Sequence, residues 1–175
     1  MNKDELRKKY LNIRHNIVNK DIKTHNIIYK LINLDEFKKA NIIGIYYSTG
    51  DEVNTKEFID YLINSGKTVC IPKVIDSSNM EFYEIKNRFN LKKSNFNIYE
   101  PTTTSIINPV DIDLIIVPGV VFSKSLYRIG YGMGYYDRYL LKTNAYKVGI
   151  TFKETLVDEL PHDEYDVKMD CVIAD

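Results

Sequence analysis

The chain has 175 residues, 44% apolar and 27% charged, enough for one soluble globular domain with a full core. Lys plus Arg and Asp plus Glu each number 24, so the basic excess that a binder of nucleic-acid backbone needs is missing. No apolar run reaches the ~20 residues of a membrane span, and the opening "MNKDELRKKY" has no apolar signal core, so a cytoplasmic protein is expected.

Residues 2 to 20 read as a helix, with Asn2 and Glu5 at capping-box spacing and Leu6, Tyr10, Ile13 and Ile17 at helical intervals. A second helix is expected over residues 22 to 33. "NIIGIYYS", residues 41 to 48, has the length and β-branching of a buried strand. "NTKEFIDYLINSG" follows as a helix with Asn54 or Thr55 as cap and Gly66 as stop. "KTVCIPK" is the next strand, ended by Pro72, which makes a β-α-β unit with parallel strands. "MEFYEI" is a short strand, "EPTTTS" a loop, and "DLIIVPG" a buried strand stopped at Pro118-Gly119. "GYYDRYLLK" fits a helix, and "YKVGITF" and "CVIAD" are the last strands. This alternation predicts a single three-layer α/β domain over 1–175, with a mostly parallel, Rossmann-like sheet and helices on both faces. Ligands of such sheets bind beyond the carboxyl ends of the strands, so the loops after Tyr47, Ile71 and Val117 should share one rim. Cys70 and Cys171 lie in short apolar runs and read as buried free thiols. His15, His25 and His162 show no metal or base spacing.

Three features suggest a ligand. "RIGYGMGYYDRYL", residues 128 to 140, places Gly130, Gly132 and Gly134 ahead of a helix, where free N–H groups make an anion site and Arg128 adds fixed positive charge. A purely structural turn needing positive φ is the competing reading. The stretch is neither a Walker loop nor a dinucleotide fingerprint. Asp137, one turn on, could hold Mg²⁺ or simply complement the helix dipole. At 100° per residue, Lys3, Arg7 and Arg14 fall within about 40° of one another, facing an anion or solvent. "YYSTGDEVNT" presents Glu52 on a turn, where it could accept the N–H donors of a heterocycle whose face Tyr47 lines.

"PGVVFSKSLYRIGYGMGYYDRYL" resembles the signature of the 5-formyltetrahydrofolate cyclo-ligases, and "KDELRKK", "GDEVNT", "IPK" and "VKMDCVIAD" match that family in order, so the resemblance spans the chain. Ser123 departs from the common Asp, Leu126 from the common Gly, and Met133 occupies a position that is Lys in some members and small in others. The resemblance implies ATP-driven, Mg²⁺-dependent ring closure of 5-formyltetrahydrofolate to 5,10-methenyltetrahydrofolate, through a phosphorylated formyl group, by an expected monomer. It places ATP on Lys3, Asp4, Glu5, Leu6 and Arg7, and on Arg128, Ile129, Gly130, Tyr131, Gly132, Met133, Gly134, Tyr135 and Tyr136. Folate falls on Tyr47 and Glu52 and shares the loop from Tyr131 to Tyr135. Arg128 and Tyr135 are the implied catalytic residues, Asp137 and Asp170 the implied Mg²⁺ carboxylates, and Lys73 an expected phosphate contact. A sugar-phosphate isomerase on a related fold and a non-catalytic folate binder are the competing functions.

Overall fold

The computed structural model describes every residue of 1–175 except 95 and 96. Helix α1 (Lys3–His15) opens with the expected capping box: the Asn2 side chain accepts the Glu5 N–H, and the Glu5 carboxylate accepts the Asn2 N–H, both at 2.9 Å. It stops at His15, short of residue 20, because the Asn16 side chain turns back onto the Asn12 carbonyl and Asn19 adopts φ 57. Left-handed Asn19 redirects the chain into α2 (Lys20–Ile32), and a five-residue α3 (Asp35–Lys39) follows that has too few turns for a periodic signal.

The strands are β1 (Ile42–Ile45), β2 (Thr68–Val74), β3 (Met80–Ile85), β4 (Leu91–Lys93), β5 (Tyr99–Pro101) and β6 (Leu114–Val117), then β7 (Val121–Ser123), β8 (Arg128–Ile129), β9 (Tyr146–Thr151), β10 (Leu156–Val157) and β11 (Cys171–Ala174). Helix α4 (Lys56–Asn64) joins β1 to β2, and α5 (Tyr135–Leu140) precedes β9. The main sheet has the order β11-β9-β6-β1-β2-β3, parallel except for the antiparallel edge strand β3. β2 runs through Pro72 instead of ending there. Its ladder with β1 stops at Gly44–Cys70, so Pro72 lies on a segment with one open edge.

Alternation along the strands sorts the core into two faces. Ile43, Ile45, Leu114 and Ile116 pack against Ile27 and Leu31 of α2, Phe37 of α3 and Ile59 of α4. On the opposite face, Ile115 and Val117 meet Tyr139 and Leu140 of α5 together with Phe122 of β7. This second face therefore carries one short helix and a small sheet, β10-β7-β8, which no hydrophobic period announced. Its approach depends on glycine: a Cβ on Gly149 would overlap the Phe122 ring, and one on Gly119 would lie 2.6 Å from it.

The β7–β8 hairpin explains two sequence departures. Ser123 N–H donates to the Tyr127 carbonyl, Leu126 N–H donates back to Ser123, and Leu126 has φ 74. A three-residue loop closing on a left-handed residue is where glycine fits best. Leu126 holds the position by packing, half-buried, on the second core face. Ser123 is fully buried and satisfied inside the hairpin: its hydroxyl accepts the Tyr127 N–H at 3.1 Å and meets the Ser125 hydroxyl at 2.9 Å.

Candidate active site

Connections leave β1 toward β2 and β6 toward β9, in opposite directions, so the sheet's switch point lies between β1 and β6. Parallel strands open a crevice at that point, beyond their carboxyl ends. A cavity of about 490 Å³ occupies it, bordered by Tyr46 and Tyr47 after β1, Ile71 and Pro72 of β2, and Pro118 after β6. The segments after Tyr47 and Val117 thus share one rim as expected, and strand β2, which runs on past Ile71, supplies the third side. The volume lies within the usual range for a small-molecule pocket.

The glycine loop closes one side. Gly132 and Gly134 have φ 97 and 68, a region that L side chains rarely adopt. Arg7 Nε donates to the Gly130 carbonyl at 2.7 Å, Arg138 Nη2 to the Met133 carbonyl at 2.8 Å, and Arg14 Nη2 to the Tyr131 hydroxyl at 2.8 Å. Arg138 also reaches the Ser78 carbonyl at 2.8 Å, which ties the loop to the β2–β3 turn. The Gly130 and Met133 carbonyls are therefore engaged, whereas the N–H groups of Tyr131, Gly132, Met133 and Gly134 have no protein acceptor among the described residues. Such a run of free donors is an anion cradle.

Cations border the cradle. Arg128, only 7% exposed, lines the cavity; Nη1 donates to Asp137 Oδ1 at 2.9 Å, and its buried Nε has no partner among the described residues. A guanidinium fixed in the cavity wall by a carboxylate suits an anion beside it. Lys3 binds Asp163 at 2.8 Å and Asp166 more closely. Burial opposes its charge, but the Asp163 and Asp166 hydrogen bonds outweigh that and raise its pKa, while the bond from Lys3 lowers that of Asp163. Arg7 lines the cavity and also pairs with Asp4.

The opposite end is aromatic and acidic. The rings of Tyr47 and Tyr99 lie 5.1 Å apart at 48°, with the Lys56 ammonium 5.3 Å above Tyr47. Glu52 Oε2 accepts the Thr49 N–H at 2.8 Å, and Oε1 accepts the Tyr131 hydroxyl at 2.6 Å. Burial, then the Glu52 charge, push the Tyr131 and Tyr136 phenols well above their ordinary range, so both stay protonated.

Several expected residues are placed elsewhere. Asp170 precedes β11 at the amino end of its ladder with β9, opposite the cavity; its carboxylate accepts the Lys147 N–H at 2.8 Å and the Lys147 ammonium at 2.9 Å. It does not meet Asp137, and the pairing inferred from sequence is corrected. Asp166, next to the Val167 whose N–H binds Asp137, also lines the cavity and is already bound to Lys3. Lys73 lies over the Tyr83 ring at 5.7 Å and is not a cavity residue. Asp4 pairs with Arg7, Glu5 caps α1, and Leu6 packs in a small cluster with Tyr10 and Val121. Ile129, Gly130, Met133, Tyr135 and Tyr136 do line the cavity. The Tyr135 hydroxyl is engaged, donating to the Asp76 carbonyl at 3.1 Å. Sequence reasoning missed Tyr99 and Asp166, whose contacts are long-range and carry no local motif.

One carboxylate oxygen is suited to a cation. Asp137 Oδ1 accepts from Arg128 and from the Val167 N–H at 3.1 Å; Oδ2 has no protein donor among the described residues. No group of three or more His, Cys, Asp or Glu gathers among the described residues. The site fits a Mg²⁺ held mostly by a phosphate ligand, not one caged by protein.

A sequence model of the 5-formyltetrahydrofolate cyclo-ligase family matches residues 1–175. The chain is 34% identical over 172 residues to a probable 5-formyltetrahydrofolate cyclo-ligase of Schizosaccharomyces pombe, covering 88% of this chain and 84% of that relative. It resembles the NMR structure of Aquifex aeolicus 5,10-methenyltetrahydrofolate synthetase with a TM-score of 0.88 at 33% identity, covering 99% of this chain and 90% of that one. It also resembles a 5,10-methenyltetrahydrofolate synthetase from Mycoplasma pneumoniae with a TM-score of 0.80 at 27% identity, covering 99% and 98%.

Proposed function

Because this chain belongs to the 5-formyltetrahydrofolate cyclo-ligase family, we propose that it closes 5-formyltetrahydrofolate to 5,10-methenyltetrahydrofolate in an ATP-dependent reaction releasing ADP and phosphate. The observation that carries this reading is the glycine loop standing between two chemically different ends: free N–H groups and Arg128 on one side, Tyr47 and Glu52 on the other.

The formyl oxygen of an amide is a poor leaving group. Transfer of the γ-phosphoryl group to that oxygen makes an imidate-like phosphate ester. The second folate nitrogen then attacks the activated carbon and loses its proton, and the oxygen departs as phosphate. The protein contributes position and charge neutralisation. In this reading the N–H groups of 131–134 cradle the phosphates, and Arg128 meets the charge that develops on the transferred group. Lys3 and Arg7 flank the phosphate path, and Asp137 would hold a Mg²⁺, which would neutralise phosphate charge there. Glu52 accepts the pterin donors and Tyr47 lines the ring's face. We assign Tyr135 to the wall between the ligands, since its hydroxyl is held by Asp76. We place the enzyme in the cytoplasm as a monomer; one chain supplies both ends of the site.

The experiment mixes protein, Mg·ATP and 5-formyltetrahydrofolate and follows the methenyl absorbance. The expected result is product formed one-for-one with ADP and none without ATP. Tight folate binding with no turnover would make the chain a folate binder instead.

A further inference from the structure

The strip of cations on α1 contains one member that the reaction scheme leaves without a task. Lys3 pairs with Asp163 and Asp166 and Arg7 pairs with Asp4, but Arg14 has no carboxylate partner among the described residues. It is 6% exposed. A charge so deeply placed needs acceptors in return. Arg14 finds two from different segments, while its buried Nε has none among the described residues: Nη1 donates to the Gly119 carbonyl after β6 at 3.1 Å, and Nη2 donates to the Tyr131 hydroxyl in the glycine loop at 2.8 Å.

The second bond sets a proton's direction. A guanidinium donates and never accepts, so the Tyr131 oxygen must be the acceptor from Arg14. The phenolic proton is then left to point at Glu52 Oε1, 2.6 Å away. Glu52 is fixed from its other oxygen by the Thr49 N–H. The result is one chain of directed hydrogen bonds: Arg14 to Tyr131, Tyr131 to Glu52, with Arg14 anchored on Gly119. Without Arg14 the Tyr131 hydroxyl loses the donor that orients it, and Glu52 loses a fixed neighbour.

We infer that Arg14 is a positioning residue for the folate end of the site, acting through Tyr131 to set the orientation in which Glu52 receives its ligand. The inference rests on the reading of Tyr131 and Glu52 as folate contacts. Arg14 itself touches neither substrate in this account, so its loss should weaken folate and spare ATP.

The test is a double-mutant cycle of Arg14→Gln with Tyr131→Phe, with KM measured for each substrate while the other is saturating. Arg14→Gln should raise the folate KM on the order of ten-fold, as for loss of a charge-assisted hydrogen bond, and leave the ATP KM unchanged. In the Tyr131→Phe background, where the acceptor is gone, the same substitution should add little. Arg14→Lys keeps the charge but cannot reach Gly119 and Tyr131 together; it should give a smaller rise, and it carries the cycle should Arg14→Gln fold poorly. Equal effects of the Arg14 change in both backgrounds, or equal rises in both KM values, would overturn the inference. Coupling between Arg14 and Tyr131 beside an unaltered folate KM in Glu52→Gln would discard the folate role of Glu52 and leave the hold on Tyr131 standing.

Discussion

Arg128 is the residue to which the proposed chemistry gives the largest part. Its fork holds Asp137 with one nitrogen and the side chain lines the cavity. Arg128→Lys keeps the charge and loses the fork. We expect kcat/KM for ATP to fall on the order of 10- to 100-fold, with the circular dichroism unchanged; unaltered ATP kinetics would remove Arg128 from the site. Asp137 and Asp170 should part company in the same assay. Asp137→Asn should raise the Mg²⁺ concentration needed for half-maximal activity, whereas Asp170→Asn should leave it unchanged, because the Asp170 carboxylate is spent on Lys147. Reading the sequence found Arg128, the glycines and Glu52 because each belongs to a local pattern. It misplaced Asp170 because a carboxylate beside a terminal strand gives no sign of which end of the sheet it occupies. It passed over Tyr99 and Asp166 because their places depend on chain segments far from the loop they face.

At the scale of elements, the segments with a spacing or β-branching signal were legible, and those without one were not. The capping box, α4 with its Gly66 stop, and the buried strands β6 and β9 follow from spacing and β-branching. Helix α3 and the small sheet of β7, β8 and β10 are too short to carry a period, and tertiary packing makes them. That packing is testable at Gly149, which lies under the Phe122 ring. Gly149→Ala adds a Cβ where the ring sits, in a core with no slack. We expect a loss of about 1–3 kcal/mol, read in thermal melts as ~2–4 °C per kcal/mol for a chain of this size. A melting temperature equal to the parent's would mean that β7 does not press on β9 as described.

For the whole molecule, the alternating pattern predicted the parallel sheet and the shared rim, because the switch point follows from topology once the strands are named. Charge pairing on the surface gives the fold a definite acid response. Asp51 is held below the usual carboxylate range by bonds from His15 and Lys20, and Asp163 by Lys3. Burial would raise Asp175, but the bonds from Lys23 and the Lys153 N–H outweigh it and lower it. Carboxyls with lowered folded pKa values contribute stability above their unfolded value of about 3.9 and lose it as pH falls through the folded values. The unfolded chain binds the extra protons, so stability rises with pH in that window. The urea midpoint should stay level near neutrality and drop as pH falls below ~4. Asp175→Asn removes one such group and should make the drop shallower; an equally steep drop would contradict the assignment to Asp175.

The central claim is that the cavity at the switch point joins the phosphate end to the folate end, so that the formyl oxygen itself is phosphorylated. Oxygen-18 placed in the formyl group of 5-formyltetrahydrofolate follows that atom directly. After turnover with unlabelled ATP, mass spectrometry of the released phosphate should find the label in phosphate, one atom per turnover. Label recovered in water, with unlabelled phosphate, would contradict the account.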